Sequence, residues 1–408
     1  MIDGDPTRFV IDCETWLIAP GRLAPRLVGV QFKHGDEPTR VLHRMDGWRD
    51  EVRRGLQAEK VIGHNIAYDL AVLLNAEPDL EGDIWRAYDE GRVYDTLLRA
   101  QLLAIALGRF KFDATIGENG SRPRWSLAHL VERFLGEKVE GKLGPDVWRL
   151  RYHELDEVPV DRWPRAAFEY ARNDVELTSR VWSALERYGR ASGFDAFPDE
   201  PDQVRAAWGL HLASCWGIRT DRTAVDALEA RLKSSVESVR GDAAKLGLIR
   251  KNGTKNVAAI RARVDEAYKG NAPKTAKGST KTDSTTLEGS GDPMLVSLAE
   301  VSGDEKELSA FIPALKAGTE RPINPRWSTL VESGRVSCSK PNLTQQPRRS
   351  GVRECYVPRG GYWFATADYA FAELCTLAQT CVDWFGESKL ADTINAGGNR
   401  SDYPRARL

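Results

Sequence analysis

The sequence predicts an α/β domain, then a mostly helical region, then a shorter third region. Two observations carry that reading. Between residues 9 and 65 short runs of branched and aromatic residues, bounded by turn signals, alternate with helix-period segments. From residue 204 onward helical spacing dominates, broken by a basic stretch, until a Gly/Pro/Ser-rich segment opens the last eighty or so residues.

The first element is Phe9-Val10-Ile11-Asp12-Cys13-Glu14-Thr15, read as a buried strand. With a period of two, Asp12 and Glu14 project from one face and Cys13 from the other. At 4 Å and an effective dielectric near 20, two such acids repel by roughly 4 kcal/mol. A divalent cation would turn that cost into a binding site; the alternative is a solvated strand end. Leu27 to Phe32 and Arg40 to His43 read as its hairpin and meander partners, and a helix runs from Trp48 to Leu56. Lys60 to Asn65 reads as a further strand running into a helix over Ala67–Leu74. Asp69 falls in that helix's first turn, where the dipole favours a carboxylate, and Asn65 stands where a simple N-cap would. His64 beside it reads more readily as a structural histidine than as a base.

A long helix is expected from near Tyr94-Asp95-Thr96, and another from Trp125 to a closing glycine at Gly136. A helix from Trp163 to Tyr188 carries Tyr170 and Asp174, four residues apart and so on one face. Phe194 to Asp202 is acidic and holds Pro198 and Pro201, which marks a domain boundary. Helices are expected over Val204–Trp216, Thr223–Leu246 and Leu295–Leu315. Between Arg250 and Lys281 nine Lys/Arg face two acids, Asp265 and Glu266. Such a run suits a solvated face, a disordered loop or a phosphate backbone, whose neutralisation releases counterions.

Composition sets limits. The chain has 408 residues, 41% hydrophobic and 29% charged, with a net charge of −1, as expected of a protein with full cores and no membrane partner. No apolar run approaches the roughly 18 residues that span a bilayer, and no signal-peptide pattern opens the chain. The six cysteines show neither C-x-x-C pairing nor zinc spacing, which fits reduced thiols in a cytoplasmic protein.

D-x-E on a strand, N-x-x-Y-D at a strand-to-helix junction and Y-x-x-x-D on a late helix occur in order over about 165 residues. The set resembles the three exonuclease motifs of the DEDD 3′→5′ exonucleases, tyrosine subclass; Tyr94–Leu98 and Ser126–Leu130 are also similar to that family. The resemblance implies that Asp12, Glu14, Asp69 and Asp174 bind two divalent ions, Mg²⁺ or Mn²⁺, that Tyr170 orients the attacking water, and that Asn65 contacts DNA. All-oxygen ligand sets suit such hard ions. A paired site would align water on one side of the phosphate and stabilise the leaving oxygen on the other. An unperturbed tyrosine hydroxyl, with a pKa of about 10, is a poor base, so hydrogen bonding is the role expected of it.

A second resemblance lies at residues 333–374. Ser333 to Arg348 resembles the T-G-R-x-S-S-x-x-P-N-L-Q-N-x-P stretch of family A DNA polymerases, and Ala367-Asp368-Tyr369-Ala370-Phe371-Ala372-Glu373-Leu374 resembles their motif A, D-Y-S-Q-I-E-L. Ser333, Thr344-Gln345, Ala370-Phe371 and Cys375 depart from it. The match implies Asp368 as a palm metal ligand, Glu373 beneath the nucleotide sugar and Arg335 in the minor groove. It also implies Asn342, Gln345 and Tyr369 in nucleotide or DNA binding, alongside Lys274, Lys277 and Lys281 in the basic loop.

Together the resemblances imply an α/β ribonuclease-H-like exonuclease domain around a mixed sheet at 1–195, a mostly helical thumb-like DNA-binding region at 196–327 and an incomplete, partial α+β polymerase palm at 328–408. The family's fingers helix and His-Asp-Glu hairpin are not found after motif A. The expectation is therefore a truncated, frameshifted or split polymerase, its proofreading exonuclease intact and its polymerase half inert. Its substrate would be the single-stranded primer 3′ end of DNA. Deoxynucleotides would bind only if a complementing polypeptide completed the site. A stand-alone exonuclease and a non-catalytic subunit of a split polymerase are the alternatives.

Overall fold

The computed structural model describes residues 7–110, 125–139, 147–197, 199–331, 335–348 and 350–397. Ser333, Gly334 and the tail after Gly397 lie outside the described residues. The chain divides into two units, Met1–Val357 and Pro358–Leu408.

In the first unit a five-stranded sheet runs in the order β3-β2-β1-β4-β5. The strands are β1 (Arg8–Thr15), β2 (Leu27–His34), β3 (Arg40–His43), β4 (Lys60–Gly63) and β5 (Val93–Asp95). The first three pair antiparallel as a meander, while β4 and β5 join parallel. This is the mixed sheet that the exonuclease resemblance implies. The short β5 displaces the expected helix start: the backbone stays extended through Asp95, which then caps the helix.

Alternation along β1 splits the core. Phe9, Ile11 and Cys13 pack with Trp48 and Val52 of α1 (Trp48–Gly55), Leu70 and Leu73 of α2 (Ile66–Ala76) and Ile84 of α3 (Glu81–Asp89). On the opposite face Val10 joins Ile62, Val175 and Trp182. After α4 (Thr96–Ala106), α5 (Leu127–Leu135) packs Leu130 and Val131 against Val181 and Leu185 of α6 (Arg165–Ala191), a 27-residue helix laid across the sheet. α5 closes as expected on Gly136, in the left-handed region at φ 71°, while its start falls two residues after Trp125, where Ser126 accepts the His129 amide.

α7 (Glu200–Trp216) starts earlier than the sequence pattern suggests, because Pro201 sits in its first turn, where a missing amide costs nothing. Its Val204 and Trp208 are buried in the core of the sheet domain.

Beyond β6 (Arg219–Thr220) comes α8 (Arg222–Lys245), which spans two cores. Val225, Leu228 and Leu232 pack with Ile312, Leu315 and Val352, and Ala243 packs with Ile260, Val264, Leu295 and Leu298. The basic stretch is no structureless loop: it contains α9 (Val257–Ala267), followed by the short α10 (Ser284–Glu288). The helix expected over 295–315 is two, α11 (Pro293–Ala310) and α12 (Ile312–Glu320). The break falls at Phe311, because Pro313 can open a helix but not continue one. β7 (Arg326–Ser328) pairs with β8 (Ser337–Ser339), and β9 (Tyr356–Val357) pairs with β6. In the second unit, α13 (Ala372–Phe385) and α14 (Lys389–Asn395) follow an extended segment.

Candidate active site

Asp12 and Glu14 share the face of β1 that α6 covers, and Asp174 on α6 meets them there. One carboxylate oxygen from each lies within 4.8 Å of the others. Glu14 is buried, Asp12 and Asp174 half-buried. Two structural facts set that approach. Glu14 stands opposite Gly29 in the β1–β2 register, and a Cβ on Gly29 would come within 2.7 Å of the Trp163 ring that closes over it. Ala167 and Ala171 of α6 pack against Val28, Val41 and Trp163, so small side chains let the helix sit low on the sheet.

Asp69 comes from the other direction. It is 2% exposed, and its Oδ1 accepts the backbone amide of Cys13 at 3.0 Å, between the two acids of β1. Burial first, and then the charge of Asp12, push its carboxyl well above the usual carboxylate range. The converging oxygens are those of Asp12, Glu14 and Asp174, with Asp69 behind them. Tyr170, one turn before Asp174, has its hydroxyl pushed up by burial and by Asp174, Glu14 and Asp12. It is a neutral donor at any physiological pH.

The junction before α2 is built differently from its simplest sequence reading. Asn65 makes no side-chain cap; it is exposed and left-handed, with φ 59° and ψ 44°. Asp95 takes the capping role: its Oδ1 accepts the amides of Asn65 (2.9 Å) and Leu97 (2.8 Å), and its Oδ2 that of Ile66 (3.1 Å). One buried carboxylate thus starts both α2 and α4. His64 Nδ1 lies 2.9 Å from Thr96 Oγ1. Asn65 and His64 open onto a cleft of about 710 Å³ with aromatic walls that include Tyr68, Trp125, His211 and Trp327.

Two residues near the cluster carry no motif. Gln31 on β2 donates to Asp12 Oδ2 at 2.5 Å and to Glu14 Oε1 at 3.3 Å. Tyr152, fully buried, donates to the Ala167 carbonyl at 2.7 Å and packs 6.2 Å from the Tyr170 ring. A polar residue interrupting the apolar run of β2 was the one available signal for Gln31.

The remaining expected contacts lie elsewhere. Lys274 pairs with Asp265 at 2.8 Å and also donates to Thr280, its partner in an antiparallel bridge of the basic loop. Arg335 is exposed. Asn342 accepts the Thr344 amide and hydroxyl. Gln345 is exposed, while its neighbour Gln346 is buried and holds the loop through Asn342 O and the Tyr356 hydroxyl. In the second unit Asp368 and Tyr369 lie on the extended segment and Glu373 in the first turn of α13, all exposed. Among the described residues, the cluster of Asp12, Glu14 and Asp174 is the one carboxylate group placed to hold a metal.

Comparison with known proteins follows the same division. Residues 6–189 match the family model of the 3′–5′ exonuclease of DNA polymerase A. No curated protein sequence matches the chain. Among solved structures, the POL domain of Pol1 from M. smegmatis, in complex with DNA primer-template and dNTP, is similar at a TM-score of 0.61 and 15% identity. The likeness covers 96% of this chain and 62% of that one, so the chain spans less than two thirds of that structure's length. At that identity the likeness speaks for the fold alone. Residues 6–189 are a 3′–5′ exonuclease domain of the DNA polymerase A type.

Proposed function

We propose that this chain removes nucleotides from DNA 3′ ends by metal-dependent hydrolysis, as the proofreading part of a family A polymerase. The observation that carries the reading is the convergence of Asp12, Glu14 and Asp174 on one point inside the matched domain. The donors are all carboxylate oxygens, and Cys13, the nearest thiol in sequence, is packed into the opposite core. That set fits Mg²⁺ or Mn²⁺ rather than a soft metal. Asp12, Glu14 and Asp174 would hold the ions, with Asp69 completing the site. Bound there, a divalent pair supplies an activated water and a counter-charge for the phosphate. The chain's own groups do the rest. Tyr170, kept neutral, orients the attacking water through its hydroxyl. Asn65, exposed at the rim, contacts the terminal nucleotide, and the aromatic cleft beyond it accepts unpaired bases by stacking.

The similar polymerase structure holds DNA primer-template, and that supports DNA as the polymer. In this reading the helices between 196 and 327 serve as a thumb-like grip, with Lys274, Lys277 and Lys281 on phosphates. Arg335, Asn342, Gln345, Asp368, Tyr369 and Glu373 belong to a palm region from 328 on. The aromatic side chains exposed in the second unit, Trp363, Tyr369, Trp384 and Phe385, favour its completion by a further polypeptide, and deoxynucleotides would bind only there. The setting is the cytoplasm of a bacterial or phage-infected cell.

The test is a labelled primer–template with a mismatched 3′ end and Mg²⁺, comparing wild type with Asp12→Ala. Shortening that is lost in the variant is expected. Undiminished shortening in Asp12→Ala would refute the site.

A further inference from the structure

Gln31 is the polar residue of a strand that is otherwise apolar through its first six positions, Leu27-Val28-Gly29-Val30-Gln31-Phe32. It is 0% exposed. In the antiparallel register it lies directly opposite Asp12, with Glu14 at the diagonal position. Opposite and diagonal neighbours are the two that one long side chain can reach together. Its Nε2 reaches both: 2.5 Å to Asp12 Oδ2 and 3.3 Å to Glu14 Oε1. Its Oε1 is buried and has no hydrogen-bond partner among the described residues.

This arrangement is a poor choice for folding alone. A buried amide whose carbonyl goes unpaired is destabilising relative to an apolar side chain of the same shape, and both neighbours on β2, Val30 and Phe32, are apolar. What the amide does is local. Its two N–H groups each engage one carboxylate, fixing the orientation of both acids.

We infer that Gln31 is a positioning residue for metal binding: its amide clamps Asp12 and Glu14 into the orientation in which they bind divalent cations together. The inference rests on the exonuclease reading, in which those two acids are metal ligands. Groups that orient ligating carboxylates from behind typically change metal affinity by about 10–100-fold when removed.

The experiment is Mn²⁺ binding to the full chain without DNA. Calorimetry gives the affinity, and the paramagnetic resonance signal of bound Mn²⁺ reports its ligand symmetry. Four proteins are compared: wild type, Gln31→Met, Gln31→Asn and Asp12→Ala. Gln31→Met keeps the length and removes the donor, so affinity should fall about 10–100-fold and the resonance signal should broaden, with an unchanged circular dichroism spectrum. Gln31→Asn, one methylene shorter, reaches Asp12 but not the diagonal Glu14, so its affinity should fall between the two. Wild-type Mn²⁺ affinity in Gln31→Met overturns the proposal. Should that variant not fold, wild-type affinity in Gln31→Asn overturns it equally. Undiminished Mn²⁺ binding by Asp12→Ala is a different failure, that of the metal site itself.

Discussion

Arg99 on α4 and Glu200 at the start of α7 form a buried ion pair, 2.6 Å apart, with side chains 6% and 3% exposed. The pair ties α7 to the sheet domain near the expected boundary at residue 195, and α7 in turn packs on α2, which carries Asp69. Arg99 also lies 4.6 Å over the Trp182 ring and donates to the Asp195 carbonyl at 3.2 Å. Burial outweighs the pull of Arg99 and pushes the Glu200 carboxyl up to about 7. The folded state therefore holds this proton more tightly than the unfolded state does. The stability it contributes is full below about pH 4.5 and is lost as pH rises toward 7, a change of about 3 kcal/mol.

In Arg99→Met the lowering influence is gone and the folded pKa moves above 7. Below pH 6 Glu200 is protonated in both folded proteins. The variant then loses the cation–π contact and the hydrogen bonds to the Asp195 carbonyl and the Glu200 carboxyl, together about 2–3 kcal/mol. Above pH 7 the wild-type carboxyl is ionised beside its partner, while the variant keeps losing about 1.4 kcal/mol per pH unit. The deficit should reach about 4–5 kcal/mol at pH 8.5, within the range for breaking a buried pair. Urea titration followed by tryptophan fluorescence at pH 5.5 and 8.5 measures it. In Arg99→Met/Glu200→Leu the growth of the deficit with pH should disappear, since residue 200 no longer titrates. A deficit that is equal at both pH values, or smaller at pH 8.5, would refute the reasoning.

Three further outcomes are expected. His211, 3.5 Å from Cys215 Sγ and edge-on to Tyr68, is pushed down to about 4 by burial. It stays neutral when folded, so its stability is full above about pH 6.5 and is lost as pH falls toward 4; His211→Phe should flatten acid unfolding between those values by about 2–3 kcal/mol, and an unchanged acid midpoint would contradict it. Gly29→Ala drives a methyl to 2.7 Å from Trp163 beside Glu14, and overpacking of about 1–3 kcal/mol should lower the urea midpoint. In the basic loop, the Lys274–Asp265 pair is solvent-exposed and weakened by screening, so Lys274 can exchange Asp265 for phosphate. Replacing Lys274, Lys277 and Lys281 by alanine should weaken DNA binding alike for every sequence and flatten its salt dependence; a loss confined to one DNA sequence, seen by anisotropy titration, would contradict backbone contact.

What the sequence determined by itself was whatever depends on periodicity within one element. Asp12 and Glu14 share a face because a strand repeats every two residues, and Tyr170 and Asp174 do because a helix nearly repeats every four. The glycine that closes α5 and the long α6 followed from the same local rules. Other features needed the chain folded, because their partners are distant in sequence. Asp95 reads as an ordinary helix start, yet it caps a second helix thirty residues away and leaves Asn65 to the rim of the cleft. Asp69 reads as a dipole-favoured acid, and only the packing of α2 beneath β1 sets it against the Cys13 amide. Gln31 belongs to no motif; the β1–β2 register alone places it across from Asp12. A single break at Phe311 turns one expected helix into two, and Pro201 opens a helix where a boundary was expected, because proline's effect depends on which turn it occupies. Spacing along the chain fixes which acids share a face, but the approach of three elements to one point depends on Gly29, Ala167 and Ala171 being small enough to let α6 close on the sheet.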